Sequence, residues 1–207
     1  PSWADGYTLS GLLGDINFDE VLNIYDAVML VTIMLAHEDG TEFQLHACDT
    51  NQDGVIDIED IVLLIQWILD IDGNLRIALS HGEYSLDNRS VVIESDGEIA
   101  GFQMELSEPV AVSEILLPSG WGWNQDGTTC VAYSMDGSSL PDGFTLTLGE
   151  SGTIEHLKLA GWGREAIQAQ KIPLPESFGL RVGPNPFNPG CTISFELSNA
   201  INIELDV

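Results

Sequence analysis

The stretch DTNQDGVIDIED (residues 49–60) decides the fold of the first part of this chain. Oxygen-bearing side chains stand at its positions 1, 3, 5, 9 and 12, namely Asp49, Asn51, Asp53, Asp57 and Asp60. This spacing suits calcium, which takes about 6–8 oxygen ligands and uses the backbone carbonyl at position 7, here Val55. Gly54 at position 6 permits the sharp turn that closes such a loop. The alternative interpretation is a solvated acidic turn that caps a helix.

A second stretch, DINFDEVLNIYD (residues 15–26), repeats the pattern 34 residues earlier. Its candidate side-chain ligands are Asp15, Asn17, Asp19, Asn23 and Asp26. Val21 offers the carbonyl at position 7, but position 6 is Glu20 instead of glycine. A left-handed backbone at Glu20 would cost about 1–2 kcal/mol relative to glycine, so we expect this loop to bind calcium more weakly. The sequence therefore predicts two calcium (Ca2+) sites.

Two such loops at this offset, each opening a helix, resemble a dockerin module, the duplicated loop–helix domain that binds cohesin domains. The resemblance covers about residues 11–72 and includes Asp at position 12 of both loops, where an ordinary EF-hand has Glu. It implies calcium-dependent docking onto a protein partner. Dockerins often carry small hydroxyl residues at loop positions 10 and 11, where the cohesin binds. Here those positions hold Ile24, Tyr25, Ile58 and Glu59. The resemblance therefore implies the metal chemistry but does not identify the partner.

The chain is strongly acidic, with 33 Asp and Glu, 6 Lys and Arg, and a net charge of −27. Nucleic acid is excluded as a natural partner, because phosphate binding needs basic side chains. An anionic membrane surface is disfavoured for the same reason. Residues 1–72 contain 15 acidic residues and no Lys or Arg. Because such a segment repels itself, we expect bound divalent cations to be part of its fold.

Several features indicate an extracellular or bacterial cell-surface protein. No apolar run reaches the 18 or so residues that a membrane span needs, so no membrane insertion is expected. The acidity and the calcium loops both point outside the cytoplasm. The sequon at residues 88–90 fits a secreted surface loop, and a glycan is one candidate ligand or modification. Pro1 is not an initiator methionine, so we expect a mature or trimmed chain.

The chain has three cysteines, Cys48, Cys130 and Cys191, so one of them would be left over if the other two paired. That number does not suggest a disulfide scaffold.

The predicted helices, residues 26–36 and 59–70, are apolar on nearly every face. A helix at the surface of a small domain should have a polar face. We therefore expect a second hydrophobic contact, either with the domain that follows or with another chain. The alternative is that the two helices and their linker, which contains a short helical turn, cover all of this surface.

From Arg76 the chain alternates apolar and polar residues in short runs separated by turn residues. This pattern predicts antiparallel strands, most simply a β-sandwich, over residues 76–172. The segment DGEIAGFQMELS (residues 96–107) resembles cohesin-like β-sandwiches. The expected fold class is therefore α+β and multidomain, with a dockerin-like unit at residues 1–72 and a cohesin-like or Ig-like unit at residues 73–172.

The C-terminal part holds five prolines in residues 173–190, which predicts a stiff linker. PNPFNP followed by TISFEL and INIELDV resembles the start of the Ig-like C-terminal sorting domain of proteins secreted by the type IX route. Residues 191–207 supply only two predicted strands of such a domain. Two isolated strands are marginal in water, so either the chain was shortened or the strands complete a sheet in a neighbouring molecule.

No sequence motif points to an enzyme. The chain lacks GxSxG, HExxH and P-loop patterns, and its four histidines lack metal-ligand spacing. Acid pairs are uninformative in so acidic a chain, although glycoside hydrolysis uses two carboxyls. The tryptophans Trp121, Trp123 and Trp162 suggest either carbohydrate stacking or packing, and packing is the commoner use of tryptophan.

These observations favour a non-catalytic, secreted, calcium-stabilised structural protein. It would assemble head to tail with other copies of itself into extracellular fibres, through its helices, its β unit and its C-terminal strands. The alternative is a docking module of a larger secreted enzyme or adhesin, which recruits a separate cohesin scaffold. A third hypothesis is a carbohydrate-binding module.

Overall fold

The computed structural model describes residues 13–36, 40–163, 166–174, 179–183 and 192–196. Within these residues three α-helices come first and twelve β-strands follow. Among the helices of this described part, none is both long enough and apolar enough to cross a bilayer. The expected order of a helical unit followed by mostly antiparallel β structure is therefore confirmed.

The helical unit consists of α1 (Ile24–Ala36), α2 (Glu42–Cys48) and α3 (Ile58–Leu69). Helices α1 and α3 begin one or two residues before their predicted starts, because position 9 of each loop serves as the capping residue. Helix α2 occupies the predicted inter-helix linker. Its first turn is fixed by a capping box between Thr41 and Gln44.

The first sheet has the strand order β10–β1–β2–β7–β4. Its strands are β1 (Gly82–Asp87), β2 (Ser90–Ser95), β4 (Val112–Ile115), β7 (Phe144–Leu148) and β10 (Gln170–Lys171). Strand β10 pairs with β1 in parallel, and the other pairs are antiparallel. The sequon residue Asn88 lies exposed in the tight turn between β1 and β2.

The second sheet has the order β5–β6–β3–β8–β9 and is antiparallel throughout. Its strands are β3 (Ile99–Leu106), β5 (Trp121–Asp126), β6 (Thr129–Ser134), β8 (Ile154–Gly161) and β9 (Ile167–Gln168). Buried side chains from both sheets form one hydrophobic cluster, in which Phe102 and Phe144 lie 6.1 Å apart between ring centroids. The inner faces of the two sheets therefore share a core.

The outer face of the second sheet is covered by the helical unit. All six residues of β6 are buried, where a strand with one solvated face would alternate. Cys130 and Ala132 belong to the core between the sheets, whereas Val131 and Tyr133 belong to the cluster built around the helices. Of the two contacts that the sequence left open for the apolar helices, the one with the following unit is observed.

A last pair of strands, β11 (Gly179–Gly183) and β12 (Thr192–Glu196), forms an antiparallel ladder. The prediction of a linker throughout residues 173–190 is wrong at β11. GLRVG lies between prolines rather than containing one, so each of its residues keeps the backbone N–H that a ladder uses. The second predicted C-terminal strand, residues 201–207, and Cys191 lie outside the described residues.

Candidate metal loops and the two helix faces

The side chains of the first loop are held by backbone N–H groups of the same loop. Asp15 accepts from the N–H groups of Asp19 and Glu20 at 3.1 and 2.9 Å, through different carboxylate oxygens. The Asp19 N–H also reaches the Asn17 side-chain oxygen at 2.8 Å. The Asp19 carboxylate in turn accepts from the Val21 N–H at 2.9 Å. Positions 1, 3 and 5 thus turn their oxygens toward the inside of one loop.

The second loop reproduces these bonds 34 residues later. Asp49 accepts from the N–H groups of Asp53 and Gly54, both at 3.1 Å. The Asp53 N–H reaches the Asn51 oxygen at 3.0 Å, and the Asp53 carboxylate accepts from Val55 N–H at 2.8 Å. The two segments share their oxygen-bearing positions, a valine at position 7 and an isoleucine at position 10, and they fold alike although the other positions differ.

Position 12 closes the first loop. Asp26 is fully buried, and one of its oxygens accepts from the N–H groups of Ile16 and Asn17 at 3.0 and 3.3 Å. Its other oxygen accepts from the Asn23 N–H at 3.0 Å. The side chain of this one residue therefore joins the start of the loop to its end.

Asp60 makes the same closure in the second loop. Its oxygens accept from the N–H groups of Thr50 and Asn51 at 2.8 and 3.2 Å and from that of Asp57 at 2.9 Å. Burial raises the pKa of Asp60 to about 6, although these hydrogen bonds act in the opposite direction. A divalent cation in the loop would favour the ionised carboxylate.

Position 9 marks the start of the following helix in both repeats. The side-chain oxygen of Asn23 accepts from the Tyr25 N–H, and that of Asp57 from the Glu59 N–H, each at 2.9 Å. Asp57 also forms an ion pair with Lys158 of β8. Asp57, a predicted calcium ligand, is therefore also the ion-pair partner of a lysine of the β unit.

The backbone at position 6 is left-handed in both loops. Its φ angle is +66° at Glu20 and +86° at Gly54. The conformation expected at Glu20 is therefore present despite its Cβ. A Cβ built on Gly54 would meet no atom within 4 Å, so only backbone strain separates the two loops at this position.

The residues of both loops suit calcium by the chemistry of their donors. Each loop gathers hard carboxylate and amide oxygens, and a carboxylate oxygen that accepts one hydrogen bond keeps a second lone pair. Over the described ranges, His, Cys, Asp and Glu side chains alone form no group of three that could hold a metal. The donor set therefore needs its asparagines and backbone carbonyls as well.

The outward face of α3 is covered by the second sheet. Ile58 and Val62 are 0% and 3% exposed, and they lie over Gly101 of β3. A Cβ on Gly101 would lie 2.8 Å from Ile58 Cδ1 and 3.0 Å from Val62 Cγ2. The Ile58 N–H donates to the Gln103 side chain at 3.2 Å. A cleft of about 330 Å³ beside Glu59 shows where this contact is incomplete.

Among the described residues, none covers the equivalent face of α1. Ile24, Tyr25 and Val28 are 38%, 72% and 47% exposed. The sequence predicted apolar surface on both helices but gave no indication that only one of them would be covered.

Two of the three candidate sugar-stacking tryptophans are buried. Trp121 and Trp162 are 9% and 1% exposed, and Trp123 packs against the core between the sheets. Stacking on a carbohydrate needs an open ring face, so the interpretation as packing residues holds for Trp121 and Trp162. Cys48 and Cys130 are free and buried, and burial raises the pKa of each thiol to about 12.

Sequence reasoning missed the residues on the β side of the contact, chiefly Gly101, Gln103 and Lys158. A glycine in the interior of a strand signals close approach of another segment, so Gly101 carried a usable signal. Lys158 is one of only six basic residues, but nothing in its local sequence ties it to Asp57.

Comparisons with known proteins agree with this description of the helical unit. Neither the curated proteins nor the solved structures contain a match to the chain. Dockerin domains bind calcium and mediate protein–protein interaction with cohesins. Residues 13–69, which span both loops and all three helices, match the family model of the dockerin type I domain.

Proposed function

We propose that this chain is a calcium-stabilised docking module whose helical unit binds a cohesin-type domain on a separate protein. The main support for this proposal is the duplicated loop, in which the same hydrogen bonds recur 34 residues apart inside a segment that matches the dockerin type I family. A docking module fits the dockerin type I match better than assembly of the chain with copies of itself. No catalytic activity forms part of the proposal.

Calcium would be held at two sites. The ligands proposed for the first site are Asp15, Asn17, Asp19, Val21, Asn23 and Asp26. Those proposed for the second site are Asp49, Asn51, Asp53, Val55, Asp57 and Asp60. Bound calcium would neutralise carboxylates that otherwise repel one another, and its binding free energy would add to the stability of the fold. Since Asp57 is already paired with Lys158, we expect it to act through water, as position 9 often does.

The β unit is proposed to be a cohesin-like sandwich. Two five-stranded sheets with one shared core support the sandwich. The segment that resembles cohesin-like domains contains β3, which is also the strand that carries Gly101 against α3. In the contact between α3 and this sheet, apolar side chains of a helix pack on a β-sheet, which is the arrangement proposed for docking.

Self-assembly into fibres has less support. It would use spare apolar surface on the helices, and the β unit covers that of α3. The open face of α1 and the β11–β12 pair still allow it. Light scattering in calcium at increasing concentration would separate the two ideas, because a docking module stays monomeric without its partner.

The location proposed for the module is extracellular or at the cell surface. Dockerin domains occur in such proteins. Extracellular calcium modules work at dissociation constants of about 10⁻⁴–10⁻³ M, which suits calcium levels outside cells. The type IX sorting resemblance is consistent with this location and stays a prediction.

The proposal is tested by calorimetry of the full chain with calcium, and then with a panel of recombinant cohesin domains. We expect heat of calcium uptake, and we expect a cohesin to bind in calcium but not in EDTA. A variant that carries Asp15→Ala and Asp49→Ala should lose both responses, whereas Asp142→Ala, an exposed acid outside the loops, should keep them. Absence of calcium uptake by the folded chain, or absence of binding to every cohesin tested, would overturn the proposal.

A further inference from the structure

The internal repeat gives the helical unit two equivalent faces. Shifting the chain by 34 residues places Ile24 on Ile58 and Val28 on Val62. In the first repeat these side chains are 38% and 47% exposed, and in the second they are 0% and 3% exposed. Identical residue types at equivalent helix positions therefore differ only in what lies against them.

Three kinds of contact hold the β unit on the second face. Gly101 allows Ile58 and Val62 to approach the backbone of β3 closely. The side chain of Gln103 accepts a hydrogen bond from the first turn of α3. Lys158 of β8 forms an ion pair with Asp57.

The segment that joins the two units is also packed. A Cβ on Gly73 would lie 2.6 Å from Gly163 Cα, so the two backbones touch. Arg76 lies 5.6 Å from the Trp162 ring centroid and donates to the Gly137 carbonyl at 3.0 Å. A short connection pinned in this way lets the β unit reach the α3 of its own chain.

We infer that the β unit occupies the docking face of the second repeat in cis, so that a partner docks through the first repeat alone. The docking face is formed by Ile24, Tyr25 and Val28 of α1. Its proposed occupant is a separate protein that presents the face of a β-sheet, because that is what covers the same face one repeat later. This inference rests on the proposed function and limits it to one of two faces.

Charge further defines the partner. Residues 1–72 contain 15 acidic residues and no Lys or Arg, and the covered face pairs with a cation of the sheet, Lys158. By analogy, the sheet of the partner should place small side chains at the centre of the contact and a Lys or Arg at its rim. A strongly acidic partner is disfavoured.

The burial difference is tested by thiol labelling at matched positions. Val28→Cys and Val62→Cys are prepared separately with Cys191→Ser, and each is treated with a maleimide in calcium. The native Cys48 and Cys130 react slowly, because they are buried and their pKa values are about 12. We expect Val62→Cys to react roughly 100-fold more slowly than Val28→Cys, since its labelling requires local opening. Equal rates in the folded protein would overturn the inference.

Docking is tested with the same variants and a cohesin domain that binds the unsubstituted chain. Saturating cohesin should block labelling of Val28→Cys, and Tyr25→Asp should weaken binding at least about tenfold. Phe43→Asp, which alters an exposed aromatic residue on α2, should bind normally. Unchanged labelling and unchanged Tyr25→Asp binding would refute the chosen face and leave the proposed function standing. Failure of the unsubstituted chain to bind any cohesin would instead refute the proposed function.

Hydrogen exchange on the unsubstituted chain provides a measurement that needs no substitution. We expect the amides at the start of α3 to exchange more slowly than the equivalent amides of α1, because the sheet buries Ile58 and Val62 whereas Ile24 and Val28 are partly exposed. Equal protection would count against the cis contact even if the cysteine variants failed to fold.

Discussion

The two repeats of the helical unit have the same loop structure, but they differ in the burial of the helix face that follows the loop. In both, the position 12 carboxylate joins the start of the loop to its end, and the position 9 side chain caps the next helix. Yet Ile58 is fully buried beneath a sheet, whereas Ile24 is 38% exposed. The loop is therefore specified by local spacing, and the burial of the helix by a segment 45 residues away.

This difference shows how a duplicated domain can acquire two roles. The second repeat packs the helical unit against its own β unit, and under our proposal the first repeat docks another molecule. Substitutions at equivalent positions should therefore have unequal effects, and each pair of variants below compares the two repeats directly.

The largest difference is expected from Ile58→Ala and Ile24→Ala. Removing a fully buried isoleucine side chain leaves a cavity and costs about 2–5 kcal/mol. The same change at the partly exposed Ile24 should cost less than about 1 kcal/mol. Urea unfolding in calcium measures both. Equal losses would mean that α3 is no more buried than α1.

The next effect concerns the ion pair of the second repeat, which has no counterpart in the first repeat among the residues that the structure describes. Lys158→Met should lower the free energy of unfolding by about 1–3 kcal/mol, because it leaves the Asp57 carboxylate buried without its cation. The same change should tighten calcium binding at the second loop roughly fivefold, since a nearby positive charge is removed.

Lys171→Met serves as the control for Lys158→Met, because Lys171 is exposed and lies on β10. A variant that loses stability and also binds calcium more weakly would show that Lys158 supports the metal site instead of competing with it.

Each of two substitutions at position 6 should make the two loops more alike in stability and calcium affinity. Glu20→Gly relieves a left-handed backbone at φ +66° and should stabilise the first loop by about 1–2 kcal/mol. Gly54→Ala should destabilise the second loop by about the same amount, because φ at this position is +86°; the added Cβ meets no atom within 4 Å, so no steric clash adds to this strain. Calcium titrations of both variants measure the effect. No change in either would show that the loops differ for another reason.

The smallest effect is a pH dependence at the second loop. Burial raises the pKa of Asp60 to about 6, so the calcium-free folded protein binds this proton more tightly than the unfolded chain. Lowering the pH therefore favours the protonated, calcium-free state through this group. We expect calcium affinity to fall about fourfold between about pH 7 and pH 5.5. A constant affinity over this range would contradict the pKa of Asp60.

Much of the helical unit could be predicted, because its information is local. The ligand spacing predicted both loops, the left-handed Glu20 and the approximate starts of α1 and α3. The match of residues 13–69 to the dockerin type I domain agrees with the resemblance drawn from the same loop residues. The predicted ligand sets themselves stay predictions.

The contacts between the units could not be predicted, because they join residues far apart in the chain. The ion pair of Asp57 with Lys158 spans 101 residues. An apolar helix indicates that some surface must cover it, but α1 and α3 are almost equally apolar. Strand β11 was missed for a local reason. The five prolines of residues 173–190 indicated a linker, so the short alternation of residue types in GLRVG was not read as a strand.

The contact between Gly73 and Gly163 has a mechanical consequence. The two backbones pack together with no side chain between them, so this contact would restrict movement of one unit against the other. If a docked partner pulled on the helical unit, the force would act on the contact between α3 and the sheet before it extended the connecting segment. The helical unit and the β unit would then move together under load.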